Sequence, residues 1–539
     1  MLDWKKNKKV IVLVSALVCF LLAVLGFALL YQSEAKTDEI YKSALKDFRE
    51  GKYQNSYYLF SKISIFSNLK PIAIYHRAEC AKMLNDTKSE IKQYEFLFNN
   101  YPKHKLSLKA KYNVAQRLVK DKPQIAKRYF EQIIKYAPNT DYAIASEYYL
   151  SLILKNKYKS EKFIPQSVKN DIQNGFRHYI KSAPSGKWAF SAVNNWLEVS
   201  ENISSDDYIL MANTCYLFGE YKKAKELIQK AEKTDGWALY VKISYALKDY
   251  SNVKYWTEVG LKEYASYVSE DDIINAVDNY ISANGSLDTL LTFAAGKGRD
   301  YLLSLRCKRL PKVQSDACYA NLYLEYPEGR FSADALSNIF FSMIKSGNVE
   351  NAIKVGKDHL NKFPNSNSSP MVMFWLGKIY EKTKDYVEYT NYYRTTIEKY
   401  PDSYYAYRAY LHLKKNRGPL INKTLEVQPV EYPYKYTKNN IVVKLVNLGD
   451  YDVVNELAGG DEFIKSWVEY EKGNYSQSVI TARNAMDKLQ DKPDKYDLRW
   501  RLVYPVLYYN EIKKYADKTG NSLPLMISLI REESYFDPL

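Results

Sequence analysis

The chain has 539 residues, 46% of them apolar, and a formal net charge of +16. The length calls for more than one domain and the apolar content suits packed cores, while the excess of positive charge favours anionic partners in a loose sense. No basic block with interleaved aromatics reads as a nucleic-acid module, the five cysteines form no C-x-x-C pair and the five histidines no ligand spacing, so no nucleic-acid partner, metal or cofactor is expected.

In chain order, Lys5, Lys6, Lys8 and Lys9 precede an uncharged run of 22 residues from Val10 to Tyr31. A run of that length spans a bilayer core of about 30 Å. Positive charge ahead of it favours an N-in orientation. Residues 1–35 are therefore expected to be a cytoplasmic stub and transmembrane anchor. That makes the chain a single-pass protein of a bacterial cell membrane, its bulk extracytoplasmic, on the periplasmic or cell-wall side. Ser33 to Ala35 also fits a small-x-small cleavage pattern, but the apolar run is long for a signal peptide. Cys19 follows Val18, which is too large for a lipidation signal.

Residues 36–415 read as a TPR-like superhelix of helix pairs. Gly and Pro are scarce, at 20 and 18, which suits helices. Aromatic–Pro breaks recur at Tyr326, Phe363 and Tyr400, with spacings of 37 and 37, and breaks of similar kind at Tyr101 and Tyr136 lie 35 apart. Helix-pair repeats have a period near 34, and looser relatives run longer. Turns inside pairs carry a Gly two residues before an aromatic or apolar residue: Gly51, Gly219, Gly347 and Gly473. Such a Gly accepts a left-handed backbone. One pair cannot bury its own face, so neighbours stack into an α-solenoid, commonly a scaffold for a protein partner. Cys307 and Cys318 are able to pair, but buried free thiols are the expectation. Tyr, at 52, is the compositional outlier.

Residues 416–503 begin with an extended, turn-rich stretch and return to helices by about Asp450, reading as a linker with further helices. The final segment, 504–539, ends in "PLMISLIREESYFDPL". Pro524 suits the first turn of a helix, with Asn521 or Ser522 as its cap. On a wheel of about 100° per residue, with Leu525 at zero, Leu529 falls near 40°, Met526 near 100° and Ile530 near 140°. Glu533, near 80°, lies inside that apolar arc, and Glu532 falls about 100° away on the polar side. A carboxyl on an apolar face is desolvated, its pKa is raised, and it becomes suited to general acid work.

Tyr504, Pro505, Tyr515, Ala516, Pro524, Arg531, Glu533, Ser534, Phe536 and Pro538 together resemble the opening of the Slt-type lytic transglycosylase domain. Leu529 and Glu532 depart from that pattern, Glu532 standing where the family often has Gln. The resemblance implies that the glutamate before Ser534, Glu533, is catalytic, with Ser534 in a supporting role. It implies cleavage of the MurNAc-β-1,4-GlcNAc bond of peptidoglycan glycan strands. Glu533 would protonate the leaving oxygen and then take a proton from the sugar's own 6-hydroxyl as a 1,6-anhydro ring closes. The substrate supplies the nucleophile, so one carboxylate suffices where other glycosidases need two. Slt enzymes also carry a large helical superhelix ahead of the catalytic domain, and "YPDSYYAYRAYLHL" resembles its end.

The family's motif continues into G-A-x-G-L-M-Q, which does not occur here, so residues 504–539 are expected to be the truncated start of a lysozyme-like domain. The chain alone is then expected to be inactive, because a catalytic group needs a preorganised site. The fold expected for the whole is all-α: a transmembrane helix, a TPR-like solenoid and that fragment. Two functions follow, a lytic transglycosylase or a non-enzymatic envelope scaffold whose solenoid binds a protein.

Overall fold

The computed structural model describes residues 34–417 and 440–537, apart from 160, 162, 201, 402, 492, 495, 496 and 522. Every regular element among the described residues is helical. The helices form two compact units, one made of residues up to 153 together with those from 424 onward, the other of Leu154–Lys423.

Each unit is built from antiparallel pairs whose helices bury one stripe and expose the other. Helix Pro123–Tyr136 buries Ala126, Phe130 and Ile133, while Lys127 and Glu131 pair on its outer side. The aromatic–Pro breaks mark helix ends as expected. Tyr101, Tyr326, Phe363 and Tyr400 are each the residue just after a helix, and Tyr136 is the last residue of one. Inside pairs, Gly51, Gly219, Gly347 and Gly473 all have φ between 77° and 83°. After Gly347 the amide of Asn348 reaches back to the Met343 carbonyl, satisfying a helix-end carbonyl in a Schellman closure. Four equivalent turns use Asn85, Lys248, Asn284 and Lys384 instead, with φ between 58° and 61°. In three of them the next residue, Asp86, Asp249 or Asp385, caps the following helix through its carboxylate.

The Leu154–Lys423 unit has a run of cores rather than one. One surrounds Trp237, Val241, Ile273, Val277, Tyr280 and Leu302. A short π-helix, Gly260–Tyr264, follows helix Tyr250–Val259 there, and a methyl on Gly260 would lie 2.2 Å from the Trp237 ring. Cys307 and Cys318 are joined as a disulfide between helices Arg299–Arg309 and Lys312–Glu325, with Cα atoms 5.4 Å apart. That corrects the expectation of free thiols at this pair. The eleven-residue separation carries one short turn and sets the two side chains facing each other. Cys80 and Cys215 are buried free thiols.

In the other unit, the helix over residues 34–49 and its neighbours pack against the stretch 440–457, some four hundred residues later in sequence. Asp450, almost fully buried, accepts from the Tyr41 hydroxyl and lies 2.7 Å from His76 Nε2. Phe60 stacks on the His76 ring with centroids 4.8 Å apart. Around this clasp Lys444 meets Glu34 at 2.6 Å and Asp38 at 2.9 Å, and Lys105 donates to the Leu457 carbonyl at 2.7 Å. A buried carboxylate is tolerated here because hydrogen-bond donors surround it.

Two expectations are corrected. The membrane anchor was read over residues 1–35, nearly all outside the described residues. Among those described, no helix is long and apolar enough to cross a membrane, because the apolar residues are spread as one-sided stripes. The single-pass architecture and the membrane localisation built on that segment therefore gain no support from any described helix. The C-terminal segment, moreover, shows no lysozyme-like domain. Helices Tyr509–Thr519 and Leu523–Ser534 pack on the preceding helices through Leu507, Ile512, Ile527 and Phe536, with Tyr470 and Tyr475 alongside. They extend the helical packing. The linker expected after residue 416 falls in part on 418–439, outside the described residues.

Candidate functional site

Helix Leu523–Ser534 carries the residues singled out by the sequence. Its buried side holds Ile527 and Arg531, with Leu523, Met526 and Ile530 half-buried beside them. Leu525 and Leu529 face outward, 64% and 57% exposed. Glu533 continues their stripe one turn later and is exposed, as is Glu532. The wheel thus selected the wrong arc. This helix is apolar on two sides, and the side with Arg531 packs because that guanidinium is satisfied. Arg531 Nε donates to the Val503 carbonyl at 3.0 Å, and its guanidinium lies 4.2 Å from the Tyr504 ring centroid. Its Nη1 donates to the neighbouring Glu532 carboxylate. An arginine with these partners anchors a helix as well as an aliphatic residue does.

The structure brings Tyr504, Arg531, Ala516 and Phe536 into or beside the same small core. Ser534 Oγ donates back to the Ile530 carbonyl at 3.1 Å, so its hydroxyl is turned along the helix. Glu533 stands on the rim of that core with its carboxylate toward solvent. The burial expected for this side chain is not found. Pro538 lies outside the described residues.

A second surface was not foreseen. Helix Tyr404–Arg417 buries Ala406 and Ala409, while Tyr404, Tyr407 and Leu411 stand out along one face, 61%, 59% and 38% exposed. The spacing of three and four residues places them in one stripe. Just before it, helix Tyr386–Lys399 exposes Tyr386 and Val387 at its start. On the preceding helix, Glu381 gathers Lys378 at 3.0 Å, the Tyr393 hydroxyl at 2.9 Å and His412 Nδ1 at 3.1 Å. Burial opposes its ionisation, but those hydrogen bonds win and hold its carboxyl down at about 2. The sequence signal was present in "YYAYRAYLHL", where tyrosines alternate between faces, but a run so rich in Tyr does not say which face is inside.

Comparison with known proteins matches the tetratricopeptide repeat family over residues 371–403, which spans most of helices Ser369–Lys382 and Tyr386–Lys399 and the turn between them. A protein of Borreliella burgdorferi described as uncharacterized is 25% identical over 255 residues, covering 44% of this chain. The chain spans 65% of that relative's own length. Two solved structures align at a TM-score of 0.23 each. The crystal structure of the P58(IPK) TPR domain is 15% identical and covers 71% of this chain and 100% of that one. The structure of Naa15/Naa10 bound to HypK-THB is 11% identical, covering 93% and 81%. The chain carries tetratricopeptide-like helical repeats.

Proposed function

We propose that the chain is a helical-repeat scaffold that binds a protein partner. The observation that carries this reading is the exposed stripe Tyr404, Tyr407 and Leu411 on the helix that follows a tetratricopeptide repeat. Tyrosines offer large contact area at little cost in side-chain entropy, and they dominate binding hot spots. Clustered exposed apolar residues on an otherwise polar surface mark interaction sites. A photo-crosslinking residue at Tyr407 in the full chain tests it. One discrete adduct, lost in Tyr404→Ser, is expected. Diffuse labelling that Tyr404→Ser leaves unaltered would remove this surface from the function.

A second reading is favoured by one observation: the residues resembling the Slt-type motif converge, with Arg531 under Tyr504, Phe536 buried, and Glu533 presented at the edge. On that reading Glu533 is the acid and base of lytic cleavage of peptidoglycan strands, with Ser534 as its supporting neighbour. Extending the chain through the G-A-x-G-L-M-Q groove motif of the family, incubating it with purified peptidoglycan and reading the products by mass spectrometry tests it. The expected outcome is 1,6-anhydro-muropeptides that vanish in Glu533→Gln. Equal products from both proteins would dismiss Glu533.

A further inference from the structure

A cavity of about 1100 Å³ opens in the unit that joins the early helices to the residues from 424 onward. Its floor and sides come from the turns ahead of helices Lys105–Leu118 and Asp141–Lys157 and from the loop at Gly459 and Gly460. Its size exceeds the usual range for one small molecule, roughly 300–1,000 Å³. Its chemistry is mixed in a defined way. Lys103, Lys105, Lys111 and Lys465 line it, against Asp141 and Glu456. Glu456 is already held by Lys109 and by the Tyr142 hydroxyl at 2.8 Å.

Lys465 pairs with Glu462 at 2.8 Å, but the other lysines are less occupied. Lys105 donates to a neutral carbonyl, that of Leu457. Lys111 reaches the Gln132 side-chain oxygen at 3.1 Å and sits over the Phe98 ring at 5.2 Å. Among the described residues neither is paired with a carboxylate. Burial pushes the Lys111 ammonium below its ordinary pKa, so its charge is undercompensated. Both bordering helices begin at the cavity, which adds the positive ends of two helix dipoles. Phe98, Leu108, Ile133 and the exposed Tyr136 supply an apolar wall. Asn455 contributes a buried side-chain oxygen without a hydrogen-bond donor.

We infer that this groove binds an acidic, extended peptide segment of a protein partner, with carboxylates on Lys103, Lys105 and Lys111 and an apolar side chain on the Phe98–Tyr136 wall. The inference rests on the scaffold reading and gives it a partner chemistry. Charge complementarity selects an anion, and the other two features select a peptide over a polyphosphate. Asp141 repels a uniformly charged polymer, and the apolar wall takes a side chain, which a peptide offers and a polyphosphate lacks.

The test is fluorescence anisotropy of the full chain with a labelled decapeptide of alternating Glu and Leu, and with its Gln–Leu counterpart. Binding of the Glu peptide, weakened by salt and by about tenfold or more in Lys111→Glu, is expected. Lys103→Glu is the companion variant, because Lys103 is exposed in a turn and its reversal leaves the packing intact. Equal binding of the Glu and Gln peptides, or binding unchanged in both variants, overturns the inference. So does inorganic polyphosphate that displaces the peptide and outbinds it. If the Tyr407 adduct forms while the Glu peptide fails to bind, the groove assignment falls and the scaffold reading stands. If both fail, both fall.

Discussion

At the scale of single residues, Arg531 shows how a charge becomes a core residue. Its stem crosses the apolar cluster, its Nε bonds to the Val503 carbonyl, and its guanidinium covers Tyr504. Removing it strands that carbonyl and opens a void. Arg531→Ala is expected to cost about 2–3 kcal/mol in denaturant unfolding, with poor rescue by Lys, whose head cannot stack and bond at once. Glu533→Gln, at an exposed position two residues on, should fall within about 0.5 kcal/mol. Equal losses would contradict the anchoring role. Glu381 gives a second residue-scale expectation. Its carboxyl is depressed from the ordinary 4.5 to about 2 by Lys378, His412 and Tyr393. A depressed carboxyl stabilises the fold above its unfolded value, and that contribution is lost as pH falls toward the folded one. Stability should therefore decline between about pH 4.5 and 2, and Glu381→Gln should flatten that part of the profile.

At the scale of elements, the turns decide what was legible. Aromatic–Pro breaks at Tyr101, Tyr326, Phe363 and Tyr400 and the turn glycines located helix ends, because those residues match a backbone requirement. The turns at Asn85, Lys248, Asn284 and Lys384 meet the same requirement without glycine at that position, through Asn, which tolerates it, and Lys, which does not. The aspartate after three of them was the available signal. Lys384→Gly relieves the left-handed cost and is expected to stabilise the protein by about 0.5–1 kcal/mol in urea unfolding. A loss of stability would mean that the Lys384 side chain is needed at that corner. The last helix was misread for a different reason. Leu525 and Leu529 are as apolar as Ile527 and Ile530, and periodicity cannot rank two apolar sides. Tertiary packing chose the side on which Arg531 finds its partners, and left Glu533 outside.

At the scale of the whole molecule, the repeats were visible in the sequence and the clasp was not. Nothing near Asp450 announces Tyr41 or His76, which precede it by 409 and 374 residues. Asp450→Ala removes the acceptor shared by both and leaves them buried without it. The expected cost is about 3–5 kcal/mol in urea unfolding. Asp452→Ala, two residues away and solvent-facing, serves as the control and should be near neutral. Similar losses at both positions would show that the clasp is not what holds these segments together.

That clasp also sets an order of events in time. The segment ending near residue 153 emerges from the ribosome long before the one that begins at 440. At about 5–20 residues per second the wait is roughly a quarter of a minute to a minute. Through that interval the first helices hold Tyr41, His76 and the lysines beside them without their mates, while the intervening unit folds from contacts of its own. Chain growth thus makes the helices before residue 153 wait for partners that are synthesised hundreds of residues later. The nascent chain carries an unfinished surface that holdase chaperones are suited to cover.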